Sequence, residues 1–294
     1  MNDPELTALW LRITLAFGIG GSKKWQYIDI DDPKSSIDKL LCNIALQNDP
    51  YLKKYRNVSS KQIDSVISLC DKNNISVITP SDEEFPQKFR RLADPPSALF
   101  VLGDITKVAD VPSVAVVGAR DCCDYSVQVA EAFAGSFAGH RINVISGFAR
   151  GVDRAAHLGA LKEQGLTAAV LGCGILHDYP KGTMRMKRLI AEHGAVVSEY
   201  LPTTTPTKSY FKVRNRLISA LADCVVVVEA SKTSGSLNTV SHALEQGKEV
   251  FVIPPHDLFD TAFDGQSDLL LDGARIATHP EQIFEYLMDL YDLN

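Results

Sequence analysis

The chain reads as an α/β protein with a doubly wound, mostly parallel sheet and a small all-helical segment in front of it. Three observations carry this. From about residue 76, short β-branched runs alternate with helix-sized windows. Those runs are apolar along nearly their whole length, as strands buried on both faces of a parallel sheet are. Residues 1 to about 75 instead space their apolar side chains at the helical i, i+3, i+4, i+7 period.

Taken in order, the helical windows begin with Leu6, Leu9, Trp10, Ile13 and Phe17. They continue with Ile37, Leu40, Leu41 and Ile44, then Ile63, Val66, Ile67 and Cys70, and they break at 18–22, 31–34 and 57–60. A linker is expected near 79–110, where Pro80, Pro86, Pro95, Pro96 and, just beyond, Pro112 accumulate. The strands follow at 113–118, 142–147, 167–172, 195–199, 224–229 and 249–254, with helices expected at 125–138, 153–164 and 237–246. The division is therefore a helical domain at 1–78 and a sheet domain at 79–294. No internal repeat is visible.

Composition fits a globular protein: 294 residues, 45% hydrophobic and 22% charged, with mean hydropathy near zero. The apolar stretch at 6–20 is broken by Arg12 and preceded by Asp3 and Glu5, the wrong flank for a secretory signal and too short for a membrane span. The six cysteines lack C-x-x-C spacing, so buried reduced thiols in a cytoplasmic protein are expected, with neither a disulfide framework nor a structural zinc. The net charge of −6 argues against nucleic acid only as a whole-chain sum. Residues 181–216 hold eight lysines and arginines against Glu192 and Glu199, a local +6, whereas residues 217–294 carry −10.

In open α/β sheets, ligands bind beyond the carboxyl ends of the strands. The first such end is Gly118-Ala119-Arg120, where small residues admit an anion to backbone N–H groups and Arg120 adds a fixed fork; a tight turn with a solvated arginine reads the same way. The second runs through Ser146-Gly147-Phe148-Ala149-Arg150-Gly151 to Asp153, with His157 one helical turn on; the pair reads as a lock on the helix start, or as a catalytic or metal pair. At the third, Gly172-Cys173-Gly174 is followed by His177 where a dinucleotide fingerprint needs a small residue. The fourth opens a Thr/Pro-rich loop leading to Lys208-Ser-Tyr-Phe211-Lys212-Val-Arg214-Asn215-Arg216. Cations interleaved with aromatic rings suit a single strand's phosphates and bases; a solvated basic loop with Phe211 turned inward is the alternative. The fifth leads to Ser234-Gly235-Ser236 at a helix start, either an anion seat or ordinary capping.

Together these strand ends resemble the DprA/Smf family of DNA-processing proteins. The resemblance rests on Val117-Gly-Ala-Arg120, Ile145 to Asp153 with Ala156-His157, Val170 to Gly174 with Tyr179-Pro180, Ser198-Glu-Tyr200, Phe211-x-x-Arg-Asn-Arg216, Val228-Glu-Ala230 with Ser234-Gly-Ser-Leu237, and Gly265 to Ala274. It covers residues 78–280 in order, and Phe85-Pro86 to Gly103, with Asp94-Pro-Pro96, fits the extension before that family's Rossmann-like core. The N-terminal helices look like its sterile-alpha-motif-like domain; Gly18-Ile19-Gly20 spells, alternatively, one phosphate-binding helix-hairpin-helix turn.

The resemblance implies an extended Rossmann-like fold and a homodimer formed through it. It implies sequence-independent binding of single-stranded DNA, loading of the RecA recombinase in natural transformation, and neither catalytic activity nor cofactor. By motif, the DNA site would use Gly118, Ala119, Arg120, Gly147, Lys208, Phe211, Arg214, Asn215 and Arg216, with Ser234, Gly235 and Ser236 seating a phosphate. Ala119 stands where the family commonly has Ser, Pro255 where a Gly usually follows the proline, and Ser267 where Asn is common. The chain ends at Asn294, so the winged-helix-like domain of many members is expected to be missing. The competing reading is a Rossmann-like nucleotide phosphoribohydrolase of the lysine-decarboxylase-like type. It needs a Gly-Gly-x-Gly-Thr loop and a catalytic glutamate; Thr233 to Leu237 with Glu245 is the nearest match and lacks the glycine pair. An oxidoreductase lacks its glycine fingerprint, and a DNA-cutting enzyme would need Asp153, Glu199 and Glu229 to converge.

Overall fold

The computed structural model describes residues 3–19 and 22–292. Four helices come first: α1 (Pro4–Phe17), α2 (Pro33–Cys42), α3 (Pro50–Asn57) and α4 (Ser60–Lys72). Asp3, Asp32 and Asp49 cap the first three ahead of a proline in the first turn, and Ser59 with Gln62 forms a reciprocal capping box on α4. Apolar spacing gives no hint of α3, which buries only Leu52 and Tyr55. Gly20 lies outside the described residues, and with it the alternative hairpin turn at 18–20.

The chain continues through β1 (Ile75–Ile78), α5 (Gln87–Arg90), β2 (Leu99–Gly103), α6 (Thr106–Ala109), β3 (Ser113–Val117), α7 (Asp124–Gly139), β4 (Asn143–Ser146), α8 (Val152–Lys162), β5 (Thr167–Leu171), α9 (Met184–His193) and β6 (Ala195–Ser198). It ends with α10 (Lys208–Leu221), β7 (Cys224–Val227), α11 (Ser236–Glu245), β8 (Glu249–Val252), α12 (Asp264–Leu271), β9 (Arg275–Ile276) and α13 (Glu281–Leu290). One nine-stranded sheet results, in the order β1-β2-β6-β5-β4-β3-β7-β8-β9. From β6 to β9 all pairs are parallel, and β2 and β1 add an antiparallel edge. This is the expected doubly wound α/β sheet. All four residues of β4, β6 and β7 and all five of β3 and β5 are buried, which is why these strands read as apolar runs. The order reverses between β4 and β7 on the two sides of β3, placing the binding crevice beyond the carboxyl end of β3.

Several expectations are corrected. The proline-rich stretch at 79–110 is not a linker. It carries α5, β2 and α6, and Phe85, Phe89, Leu99, Phe100 and Val101 are at most 1% exposed. Its prolines stop short elements that are themselves packed. The alternative of a solvated basic loop at 208–216 does not hold, because these residues form the first turns of α10.

The N-terminal helices share a core with the sheet. Trp10, Leu11 and Ile13 of α1 pack in one apolar cluster with Phe100 of β2, Leu171 of β5 and Val196 of β6. The Trp10 indole N–H donates to Ser81 Oγ (2.8 Å), and Thr14 and Ser97 share a hydroxyl hydrogen bond (2.9 Å). The strand β1 falls on the helical side of the expected boundary at residue 78. Cys70, Cys173 and Cys224 are buried thiols, whereas Cys42 and Cys123 are exposed, against expectation. Among the described residues no helix is long and apolar enough to cross a membrane.

Candidate nucleic-acid interface

The crevice beyond β3 is a groove of about 600 Å³ that opens into an adjoining pocket of about 320 Å³. Phe211, Arg120, Ala149 and Tyr179 line both. The groove brings together most of the residues singled out from sequence: Gly118, Ala119 and Arg120 after β3, Lys208, Phe211, Arg214 and Asn215 on α10, and Ser234, Gly235 and Ser236 at the start of α11. Gly147 lines the adjoining pocket. The pocket adds Arg150 and Lys181, exposed cations that the strand-end motifs did not single out; Lys181 was legible only as part of the basic segment at 181–216.

Phe211 is half-buried at the centre. The Arg120 guanidinium carbon lies 5.2 Å from its ring centroid and the Tyr179 ring 5.4 Å away. The ring rests on Gly172, where a Cβ would meet Phe211 Cδ1 at 2.6 Å, so only glycine leaves room for it. Lys208 and Lys212, four residues and so about one turn apart on α10, are exposed. No side chain caps the first turn of α10, whereas at α11 Ser236 N donates to Ser234 Oγ (3.4 Å), and the first residues of both helices line the groove. At α11 the Ser234 and Ser236 hydroxyls are hydrogen bonded to each other at 2.7 Å.

Arg214 lines the groove but is buried beneath it. Its Nη1 donates to Gly147 O (2.7 Å) and to Val170 O, and its Nε to Asn215 Oδ1 (3.2 Å). Burial pulls its pKa down to about 10, and Asp153 opposes that shift. A Cβ on Gly147 would come within 2.7 Å of Arg214 Nη2 and 2.8 Å of Asp153 Oδ2, so this glycine is required by the close approach of both. Asn215 reaches across to α11, donating to Gly235 O (3.2 Å) and Asn238 Oδ1 (3.3 Å). Arg216 is not in the groove at all. It lines a separate cavity with Asp94, Lys88 and Lys248, is 5% exposed, and pairs with Glu199 and Asp94. The even run of cations in the sequence hides this, because a helix turns successive residues 100° apart. Lys208 and Lys212 therefore face solvent while Arg214 and Arg216 are packed.

Asp153 and His157 do not form a pair. Asp153 accepts from Ala149 N (3.1 Å), and its carboxyl is raised by burial, with Arg214 opposing. His157 is fully buried and bonds Thr167 Oγ1 of β5 through Nδ1 (2.7 Å). Thr167 Oγ1 donates onward to Val144 O, so it accepts from the imidazole N–H. Burial, with the Arg214 charge, pushes the His157 pKa down to about 3. Asp153 therefore ties the start of α8 to the loop after β4, and His157 ties the same helix to β5 by a separate bond. Glu199 is held by Arg216, and Glu229 accepts from Cys123 N (3.1 Å). Among the described residues no three His, Cys, Asp or Glu side chains are placed to hold a metal ion together. Glu245, which a phosphoribohydrolase would need beside the phosphate seat, faces the Arg216 cavity instead and bonds His242 (3.2 Å).

The sequence of the DNA recombination-mediator protein A family matches residues 76–288. The DNA processing protein DprA of Bacillus subtilis is 35% identical over 222 residues, which are 76% of this chain and 74% of that one. Among solved structures, DNA processing protein A from Streptococcus pneumoniae superposes with a TM-score of 0.82 at 28% identity, over 95% of this chain and 97% of that one. The Helicobacter pylori protein, solved for its single-stranded DNA binding mode, gives 0.66 at 31% identity, over 73% and 96%. With the match spanning nearly all of the sheet and every strand end of the groove, the chain belongs to the DNA recombination-mediator protein A family, the DprA/Smf proteins.

Proposed function

We propose that the protein binds single-stranded DNA without sequence preference, protects incoming DNA and loads RecA recombinase onto it during natural transformation. The observation that carries this is the groove at Phe211: a half-buried ring under Arg120, flanked by exposed Lys208 and Lys212 and by the first residues of two helices. An aromatic face for a base beside cations for the backbone is what sequence-independent single-strand binding needs. The likeness to the Helicobacter pylori protein supports the same ligand. Arg150 and Lys181 extend the cationic lining past Phe211 and offer the strand a continuation. Neither a catalytic group nor a cofactor is part of this reading, and the protein acts in the cytoplasm.

RecA loading and homodimerisation belong to the same proposal and rest on the resemblance to the family. Leu271 and Ile276, at the end of α12 and in the edge strand β9, are exposed, as are Leu258 and Phe259 in the loop after β8, Phe259 at 96%, and pairing of two chains at the β9 edge would cover the first two. Sedimentation of wild type against Leu271→Glu tests this, with a dimer expected for wild type and a monomer for the variant. For the DNA reading, labelled oligo-dT is titrated with duplex as control. Preferential single-strand binding is expected; equal or no binding would overturn it. Release of free base from a nucleoside monophosphate would favour the phosphoribohydrolase instead.

A further inference from the structure

The basic helix α10 bears its DNA-facing side chains at Lys208, Phe211 and Lys212, yet its most completely bonded side chain is Arg216, on the other side. Arg216 Nε donates to Asp94 Oδ2 (2.8 Å), Nη2 to Asp94 O (3.0 Å) and Glu199 Oε1 (2.8 Å), and Nη1 to Glu199 Oε2 (2.8 Å). Glu199 is 2% exposed and immediately follows β6, while Asp94 sits in the loop between α5 and β2. That loop is itself held: Ser97 bonds Thr14 of α1 and accepts from the buried Lys24 Nζ (3.3 Å). A second tie lies at the start of the helix, where Tyr200 Oη donates to Tyr210 O (3.2 Å) and the two rings lie 4.4 Å apart.

We propose that Arg216 is a positioning residue that makes no contact with DNA: through Glu199 and Asp94 it fixes the rotation of α10, and so the placing of Phe211, Lys208 and Lys212 in the groove. A bidentate guanidinium–carboxylate pair fixes direction as well as distance. Losing Arg216 leaves the Glu199 carboxylate buried and unpaired, and losing the Asp94 charge removes one of the two acids that orient the guanidinium, so the helix shifts to find another arrangement. The acids that do this lie outside the groove, and one of them belongs to the segment that the N-terminal helices pin in place.

The inference rests on the single-strand reading, and the test separates the two. Oligo-dT is titrated across a salt series with wild type, Arg216→Gln and Asp94→Asn, and amide exchange at 208–213 is followed without DNA. Both variants are expected to bind about tenfold more weakly, the scale of one charge-assisted hydrogen bond, with the wild-type salt slope, and to exchange faster at 208–213. A slope shallower by about 0.7 in Arg216→Gln would mean a lost phosphate contact and overturn the proposal. Asp94→Asn carries a sharper sign: removing an acid near DNA strengthens binding by charge alone, so unchanged or tighter binding also overturns it. Should Arg216→Gln not fold, Asp94→Asn decides alone. If wild type binds no oligo-dT, the functional reading fails, and the exchange experiment still decides positioning: unchanged protection at 208–213 rejects it, and lost protection upholds it.

Discussion

The Arg120 guanidinium lies over the Phe211 ring, 5.2 Å from its centroid, although the two residues belong to different strand ends. The contact holds an exposed cation against an aromatic platform, so a base reaching the ring meets a charge for its phosphate at the same place.

Phe211→Ala removes that platform. Base–aromatic stacking contributes about 1–3 kcal/mol per base, so oligo-dT affinity should fall by about 5- to 150-fold. Fluorescence anisotropy at fixed salt measures this; wild-type affinity in the variant would remove Phe211 from the site.

Gly172→Ala should act through the same ring. Its methyl would meet Phe211 Cδ1 at 2.6 Å and Cα at 3.2 Å, so the ring must move. Weaker oligo-dT binding is expected from the single variant, and little further loss when it is added to Phe211→Ala. Additive losses in that cycle would show that Gly172 acts elsewhere.

Acid should destabilise the fold through His157. Unfolded, the imidazole titrates near 6.5; folded, it stays neutral down to about 3. The unfolded state therefore binds the extra proton between these values, so stability is complete above about pH 6.5 and falls as pH drops, by about 1.4 kcal/mol per unit. Urea midpoints of His157→Gln should fall less steeply than wild type between pH 6 and 4. Parallel curves would contradict the assignment.

The six central strands were legible because burial on both faces writes a continuous apolar run. The edges were not. Both residues of β9 are exposed and β1 is mixed, so neither carries a pattern. On α10 the difficulty was physical: Arg214, Asn215 and Arg216 are buried polar residues, and an inward face built of them defeats a rule that equates inward with apolar. Motif resemblance found the strand ends that meet in the groove. It could not separate Arg120, which faces the groove, from Arg216, whose partners Asp94 and Glu199 lie 122 and 17 residues away in the chain. Only the fold brings those acids to it.

The central claim is most directly tested by the salt dependence of oligo-dT binding. Arg120, Lys181, Lys208 and Lys212 are exposed cations of the groove and its side pocket, and the fifth, Arg150, is already paired with Asp121 (3.3 Å). Four phosphate contacts at about 0.7 each predict a slope of log affinity on log salt of about −2.8, with duplex bound more weakly throughout. A slope near zero, or duplex bound as tightly as the single strand, would contradict it.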